Sequence, residues 1–210
     1  MIKILIADDH AIVRRGLKQI LAETPDMVVA GEAHNGQELL DKVRDHQWDV
    51  VVLDISMPGR GGLDTLKQLK SERPKLPVLM LTIHPEDQYA VRVLRAGASG
   101  YLTKESAPDH LVEAIRKVAR GGKYISPHLA EKLAFNLESL SERPLHEALS
   151  DREFQVLRFI ASGKTVKEIG EELSLSVKTI STYRTRILEK MKMRNNAELT
   201  HYAIQQKLVE

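Results

Sequence analysis

Over the first 120 positions, short apolar runs alternate with longer stretches of helical period. The runs 2–7, 50–53, 78–81 and 100–102 are too short to be helices, and residues 28–33 supply one further strand. Between them, 11–21, 36–44, 62–70, 87–96 and 109–120 repeat their apolar residues at helical spacing. Strand, helix, strand in strict alternation predicts an α/β fold: a five-stranded parallel sheet, doubly wound, with helices on both faces. After Gly121-Gly122 the pattern changes. Ser126-Pro127 reads as an N-cap followed by proline at the first helical position, 128–140 has a helical period, and Ser141-Glu142-Arg143-Pro144 ends it. Beyond Leu149 no strand pattern survives, and 151–161, 166–173, 177–191 and 197–207 read as helices. The expected organisation is therefore an α/β domain over 1–121, a helical linker over 122–145 and an all-α domain over 146–210.

Acidic residues stand at the ends of the predicted strands. Asp8 and Asp9 follow the first strand and Asp54 follows the third. With strand order 2-1-3-4-5 the first and third strands are neighbours, so the carboxylates converge at the switch point where such sheets form their sites. Two of these charges about 4 Å apart repel by roughly 4 kcal/mol at an effective dielectric near 20, so a cluster of three calls for a cation. A hard ion such as Mg²⁺ suits an all-oxygen site. The same strand-end position brings Thr82 and Lys104 to the rim. Acids, a cation, a hydroxyl and an ammonium are the components for handling a phosphoryl group.

Composition narrows the reading further. The chain has 210 residues, 42% apolar and 29% charged, as a folded globular protein has. It has no cysteine, which excludes disulfides and thiolate chemistry and makes a cytoplasmic location the simple expectation. The first apolar run ends at Asp8-Asp9, too soon for a signal peptide or a membrane span. The net charge of +2 hides a local excess: Lys178, Arg184, Arg186, Lys190, Lys192 and Arg194 fall in a window whose single acid is Glu189. Such an excess suits a polyanion, and it suits a solvated helix face as well.

Asp8-Asp9, Asp54 within Leu53-Asp54-Ile55-Ser56-Met57-Pro58-Gly59, Thr82, and the run from Gly97 to Lys104 resemble the receiver domains of two-component signalling, a flavodoxin-like fold. The resemblance implies that Asp54 accepts a phosphoryl group from a sensor histidine kinase, and that Asp9, Asp54 and the Ser56 carbonyl hold Mg²⁺ with Asp8 assisting through water. It implies that Lys104 pairs with the phosphoryl oxygens, and that Thr82 and Tyr101 are the switch residues that move on phosphorylation. Ser56 and His84 flank the phosphoryl position. Where many receivers have proline after the lysine, with a cis bond, this chain has Glu105.

In the all-α region, Ser150 and Glu153 form a capping-box pattern and Gly163 stops the helix they open. A short turn, Ser174-Leu175-Ser176, separates the next two helices, the punctuation of a helix-turn-helix. Gly170, costly inside a helix by about 1 kcal/mol, implies a close crossing of the two helices. On the longer helix Val177, Ile180, Ile187 and Met191 predict the core face, with Arg184 near it. Lys178, Ser181, Thr182, Thr185 and Glu189 predict the opposite, reading face, with Arg186 at its flank. Leu149 to Glu153, Lys167 to Gly170, Lys178-Thr179-Ile180 and Ile187 to Met191 resemble the LuxR-type helix-turn-helix. The whole chain is similar to NarL/FixJ-type response regulators. The resemblance implies binding of double-stranded promoter DNA through Lys178, Ser181, Thr182, Thr185 and Arg186, a homodimer when phosphorylated, contact with RNA polymerase as a further partner, and no membrane.

Three other readings compete. An aspartate-nucleophile phosphatase is similar at Asp54, but its pattern needs a second acid two residues on, where this chain has Ser56; an enzyme is therefore not expected. A DNA-binding protein with a silent receiver would not require Asp9, Asp54, Thr82 and Lys104 together. RNA binding fits the tight turn and the reading face less well than duplex DNA.

Overall fold

The computed structural model describes residues 1–209 other than 60, 128 and 132–143. The chain divides into two compact units, Met1–Glu131 and Lys132–Glu210. Among the described residues no helix is long and apolar enough to cross a membrane.

The first unit contains strands β1 (Ile2–Ala7), β2 (Met27–Ala33), β3 (Val50–Asp54), β4 (Val78–Thr82) and β5 (Gly100–Thr103). Between and after them lie helices α1 (Ala11–Ala22), α2 (Gly36–Asp45), α3 (Gly62–Glu72), α4 (Glu86–Arg95) and α5 (Ala107–Ala119). All neighbouring strands are parallel, in the order β2-β1-β3-β4-β5. Alternate strand residues point to opposite faces. Ile4, Ile6, Val50, Val52, Leu79 and Leu81 meet Leu17 and Leu21 of α1 and Leu111 and Ile115 of α5 in one buried cluster. Leu5, Val51, Leu53 and Met80 face the other way and are buried too, as are Leu39 and Leu40 of α2 and Leu66 and Leu69 of α3. Each such side chain contributes roughly 1.5–3 kcal/mol on burial, which explains why both faces of the central strands are apolar.

The chain after α5 does not leave the domain at once. Tyr124 forms a parallel bridge with Gly100. The Tyr124 amide donates to the Ser99 carbonyl (2.9 Å), and the Tyr101 amide donates to the Tyr124 carbonyl (3.2 Å). Gly100 makes this possible, since a Cβ there would lie 2.8 Å from the Tyr124 oxygen. The Lys123 ammonium donates to the Ala98 carbonyl (2.5 Å). Ser126 caps the following turn by accepting the Leu129 amide (3.1 Å), and its hydroxyl bonds Glu86 of α4. Most of the helix predicted over 128–140 lies outside the described residues.

The second unit contains a short 3-10 helix (Leu145–Ala148), then α6 (Asp151–Ala161), α7 (Val166–Leu173), α8 (Val177–Met191) and α9 (Asn196–Gln205). Phe154, Leu157, Ile169, Ile180, Ile187, Met191 and Leu199 are buried and form its core. Capping boxes open α6 (Ser150 with Glu153) and α7 (Thr165 with Glu168). The second follows the same four-residue rule as the first, so Thr165-Val166-Lys167-Glu168 was legible in the sequence as well. α6 ends before Gly163, whose φ of +82° suits a residue without a side chain.

Two details of the second unit differ from the sequence reading. A Cβ on Gly170 would lie 2.8 Å from the Leu175 carbonyl, whose own amide donates to Gly170 O, so the glycine admits the turn rather than the crossing helix. Val177, expected on the core face, is 52% exposed. At 3.6 residues per turn it stands about 60° from the stripe through Ile180, Ile187 and Met191.

Candidate functional site

The register Ala7↔Leu53 brings the ends of β1 and β3 level, so Asp8 and Asp54 emerge side by side. Both are 1% exposed. Lys104, directly after β5, places its Nζ 2.7 Å from Asp8 Oδ2 and 2.7 Å from Asp54 Oδ2. Asp9 is at the rim, where His10 Nδ1 lies 2.9 Å from its Oδ1 and 3.3 Å from Asp8 Oδ1. The Ser56 amide donates to Asp54 Oδ1 (3.2 Å), which orients that carboxylate. Gly62 opens α3 against the same turn: a Cβ there would meet the Asp54 carbonyl at 1.9 Å.

Burial is the largest influence on Asp54 and pushes its carboxyl above the usual carboxylate range, against the pull of Lys104. Burial would lower the Lys104 ammonium, but the charges and hydrogen bonds of Asp54 and Asp8 outweigh it and raise the lysine. Asp8, Asp9, His10 and Asp54 each offer a ligand atom within 4.8 Å of the others. Asp8 Oδ2 is buried against the Lys104 ammonium, and Asp9 Oδ1 against the His10 ring. Three carboxylates converging in this way, with one ammonium among them, fit a hard, oxygen-seeking divalent ion.

A chain of contacts leads away from the pocket. Thr82 is fully buried at the end of β4, and its Oγ1 accepts the His84 amide (3.2 Å). The Lys104 amide donates to the Thr82 carbonyl (2.8 Å), and the Lys104–Glu105 peptide is trans. Tyr101 is fully buried on β5 and its hydroxyl donates to the His84 carbonyl (2.8 Å). The His84 ring faces Ser56, with Nε2 and Oγ 3.0 Å apart, and packs on Tyr89 at 4.8 Å between centroids. Ser56, Thr82, His84 and Tyr101 are thus one connected group beside Asp54. The resemblance places His84 beside the phosphoryl position, but its bridging of Ser56, Thr82 and Tyr101 rests on contacts that no local pattern encodes; His10, beside Asp8 and Asp9 in sequence, was missed.

In the second unit Lys178, Ser181, Thr182, Thr185 and Arg186 are exposed on α8. The hydroxyls of Thr182 and Thr185 donate to the carbonyls one turn back, of Lys178 (3.0 Å) and Ser181 (3.1 Å), and must rotate to reach a partner. Arg184 is turned aside, its Nε donating to Asn196 Oδ1 (2.6 Å) at the start of α9. Lys190 bonds the buried Glu153 (2.6 Å), tying the end of α8 to the cap of α6. The exposed cations of the basic window are therefore Lys178, Arg186, Lys190, Lys192 and Arg194, of which Lys190 is paired with Glu153.

An acid pocket with its lysine at the carboxyl edge of a 2-1-3-4-5 sheet, followed by a helix-turn-helix, defines a receiver joined to a DNA-binding domain. Family comparison agrees for both units: residues 4–116 match the response regulator receiver domain, and 147–203 match the bacterial regulatory proteins of the luxR family. The chain belongs to the response regulators of the NarL/FixJ type. It is 40% identical to response regulator GacA of Pseudomonas protegens over 100% of this chain and 99% of that one. It is 39% identical to response regulator UvrY of Escherichia coli K12 over 97% of this chain and 94% of that one. Among solved structures, the RcsB response regulator of Salmonella typhimurium matches with a TM-score of 0.67 at 29% identity, covering 98% of each chain. RcsB of Salmonella enterica serovar Typhimurium bound to promoter rprA in the presence of the phosphomimetic BeF3- matches with a TM-score of 0.66 at 28% identity, covering 96% of this chain and 97% of that one.

Proposed function

We propose that Asp54 is the phosphoacceptor of a transcriptional regulator whose second domain reads promoter DNA. The observation that carries this reading is the Lys104 ammonium 2.7 Å from both Asp54 and Asp8 inside a buried acid pocket. An Asp54 oxygen attacks the phosphorus of a histidine kinase's phosphohistidine or of a small phosphodonor, the bond to the donor breaks, and the donor leaves with the electron pair. Lys104 then turns from the carboxylates to the phosphoryl oxygens, and the Thr82 hydroxyl supplies a further hydrogen bond. Asp9, Asp54 and the Ser56 carbonyl would hold Mg²⁺, with Asp8 bonding its water. When bound, the ion neutralises the charge that builds on the phosphoryl oxygens.

The coupling runs through the group around Thr82. Movement of Thr82 alters its bond to the His84 amide, and His84 carries the partner of the Tyr101 hydroxyl. Tyr101 in turn is bonded through its main chain to Tyr124, at the start of the connecting segment. The reading keeps a domain plan of receiver 1–121, connecting helical segment 122–145 and DNA-binding domain 146–210, with Tyr124 of the connecting segment docked on the receiver's edge strand. The reading includes masking of α8 or restraint of pairing before phosphorylation, and a homodimer reading two half-sites afterwards. Lys178 and Arg186 hold phosphates and Ser181, Thr182 and Thr185 meet base edges in the major groove. A cytoplasmic location, a partner kinase and contact with RNA polymerase belong to the same reading, with no catalytic turnover of a substrate. Incubation with acetyl phosphate and Mg²⁺ followed by intact mass measurement tests the first step. Labelling of the wild type and not of Asp54→Ala supports it, and equal labelling of both contradicts it.

A further inference from the structure

Arg14 stands one turn into α1 and is buried, its side chain only 8% exposed. Its Nε donates to Glu32 Oε2 (3.0 Å) on β2, and its Nη1 donates to the Asp8 carbonyl (2.8 Å). Glu32 is held in place from two sides: Lys18 Nζ lies 2.6 Å from its Oε1, and Lys42 bonds its carbonyl. Hydrogen bonds from Lys18 and then Arg14 outweigh partial burial and keep the Glu32 carboxyl below its usual range, so it stays charged. The main-chain oxygen that Arg14 grips belongs to the residue whose carboxylate lines the acid pocket, and the next two residues are Asp9 and His10. The turn between β1 and α1 must bring two like charges together, and repulsion between them favours opening it. A planar, permanently charged fork spanning β2 and the Asp8 carbonyl opposes that opening.

We propose that Arg14 is a positioning residue for the cation site: it locks the Asp8 main chain so that the Asp8 and Asp9 carboxylates are held at the spacing a divalent ion requires. This rests on the Mg²⁺ reading given above and extends it to a residue that touches neither the ion nor the phosphoryl group. The sign of the effect separates positioning from charge. Removing a positive charge near a cation site should by itself tighten cation binding, whereas loss of positioning weakens it.

The test is calorimetric titration of the full chain with Mg²⁺, with melting temperature recorded for each variant. Arg14→Met, which keeps bulk and removes the fork, is expected to weaken Mg²⁺ binding about tenfold, as loss of an outer partner of a metal site does. Arg14→Lys keeps the charge without the planar fork and should recover only part of that loss; it carries the test if Arg14→Met does not fold. Leu17→Ala, which removes a buried side chain from the same helix, should lower the melting temperature and leave the titration unchanged. Wild-type binding with folded Arg14 variants that bind equally or more tightly overturns the proposal alone. Absence of binding by the wild type overturns the cation reading and this inference with it.

Discussion

The acid pocket of the first domain and the reading face of α8 hold their functional groups in opposite ways. In the pocket the buried carboxylates are each fixed by more than one group: Asp54 by the Ser56 amide and Lys104, Asp8 by Lys104 and, through its main chain, by Arg14. On α8 the proposed contact residues are exposed, and the two threonine hydroxyls bond only their own helix. The pocket stores like charges in a buried place and needs a surrounding lattice to keep them there. The reading face depends on the scaffold beneath it, through Ile180, Ile187 and Met191 in the core and the Lys190–Glu153 pair at its end. Chemistry needs groups that are held before the partner arrives, whereas recognition of a long polyanion tolerates side chains that settle on contact.

Asp54→Ala is expected to lower acetyl phosphate labelling by at least about a hundredfold while leaving the second domain folded, as read by mass and by circular dichroism. On the other side, Leu157→Ala in α6 should destabilise the second domain by roughly 2–5 kcal/mol, seen in thermal melting, and leave labelling of Asp54 unchanged. Thr185→Ala should cost about 1–3 kcal/mol in binding to a preferred DNA site, with no change in melting temperature. Lys178→Ala should weaken binding to all sequences alike and lower the salt dependence by about one unit of slope.

Acidification probes both scaffolds. Burial opposes the shift at Glu38, but bonds from Lys42 and His34 outweigh it and lower the carboxyl to about 2. At Glu153 burial again opposes, and Lys190 and the Ser150 cap hold the carboxyl below its usual range. Each carboxylate is depressed in the folded state, so its contribution is complete above the unfolded value near 4.3 and is lost as pH falls through the folded one. Melting temperature should therefore decline below about pH 5, and Glu38→Gln or Glu153→Gln should flatten the decline for its own domain. A decline of the same steepness in both variants and the wild type would show that these pairs do not carry it.

The parts of this design that are local in sequence were legible there. The strands, the helices and the positions of Asp8, Asp54, Thr82 and Lys104 follow from apolar period and strand ends, because a parallel sheet delivers successive strand ends to one edge. The helix start at Ser150 follows from capping chemistry within four residues; the sequence reading has Ser176 only as the end of a turn, and it caps α8 by the same chemistry. What escaped is long-range. The docking of Tyr124 on Gly100, the grip of Arg14 on Asp8 and the Ser56–His84 contact join residues that no period links. Val177 escaped for another reason: it stands about 60° from the stripe through Ile180, Ile187 and Met191, and at the first residue of α8 it remains 52% exposed.

In the proposed function, phosphorylation at Asp54 is read out by the DNA-binding domain. The most direct test is the affinity of the full chain for a preferred DNA fragment selected from genomic DNA, measured with and without acetyl phosphate and Mg²⁺, for the wild type and Asp54→Ala. The account predicts tighter, sequence-selective binding only in the phosphorylated wild type, with Asp54→Ala unchanged by the phosphodonor. Equal affinity in all four conditions, with Asp54 labelled in the wild type, would contradict it.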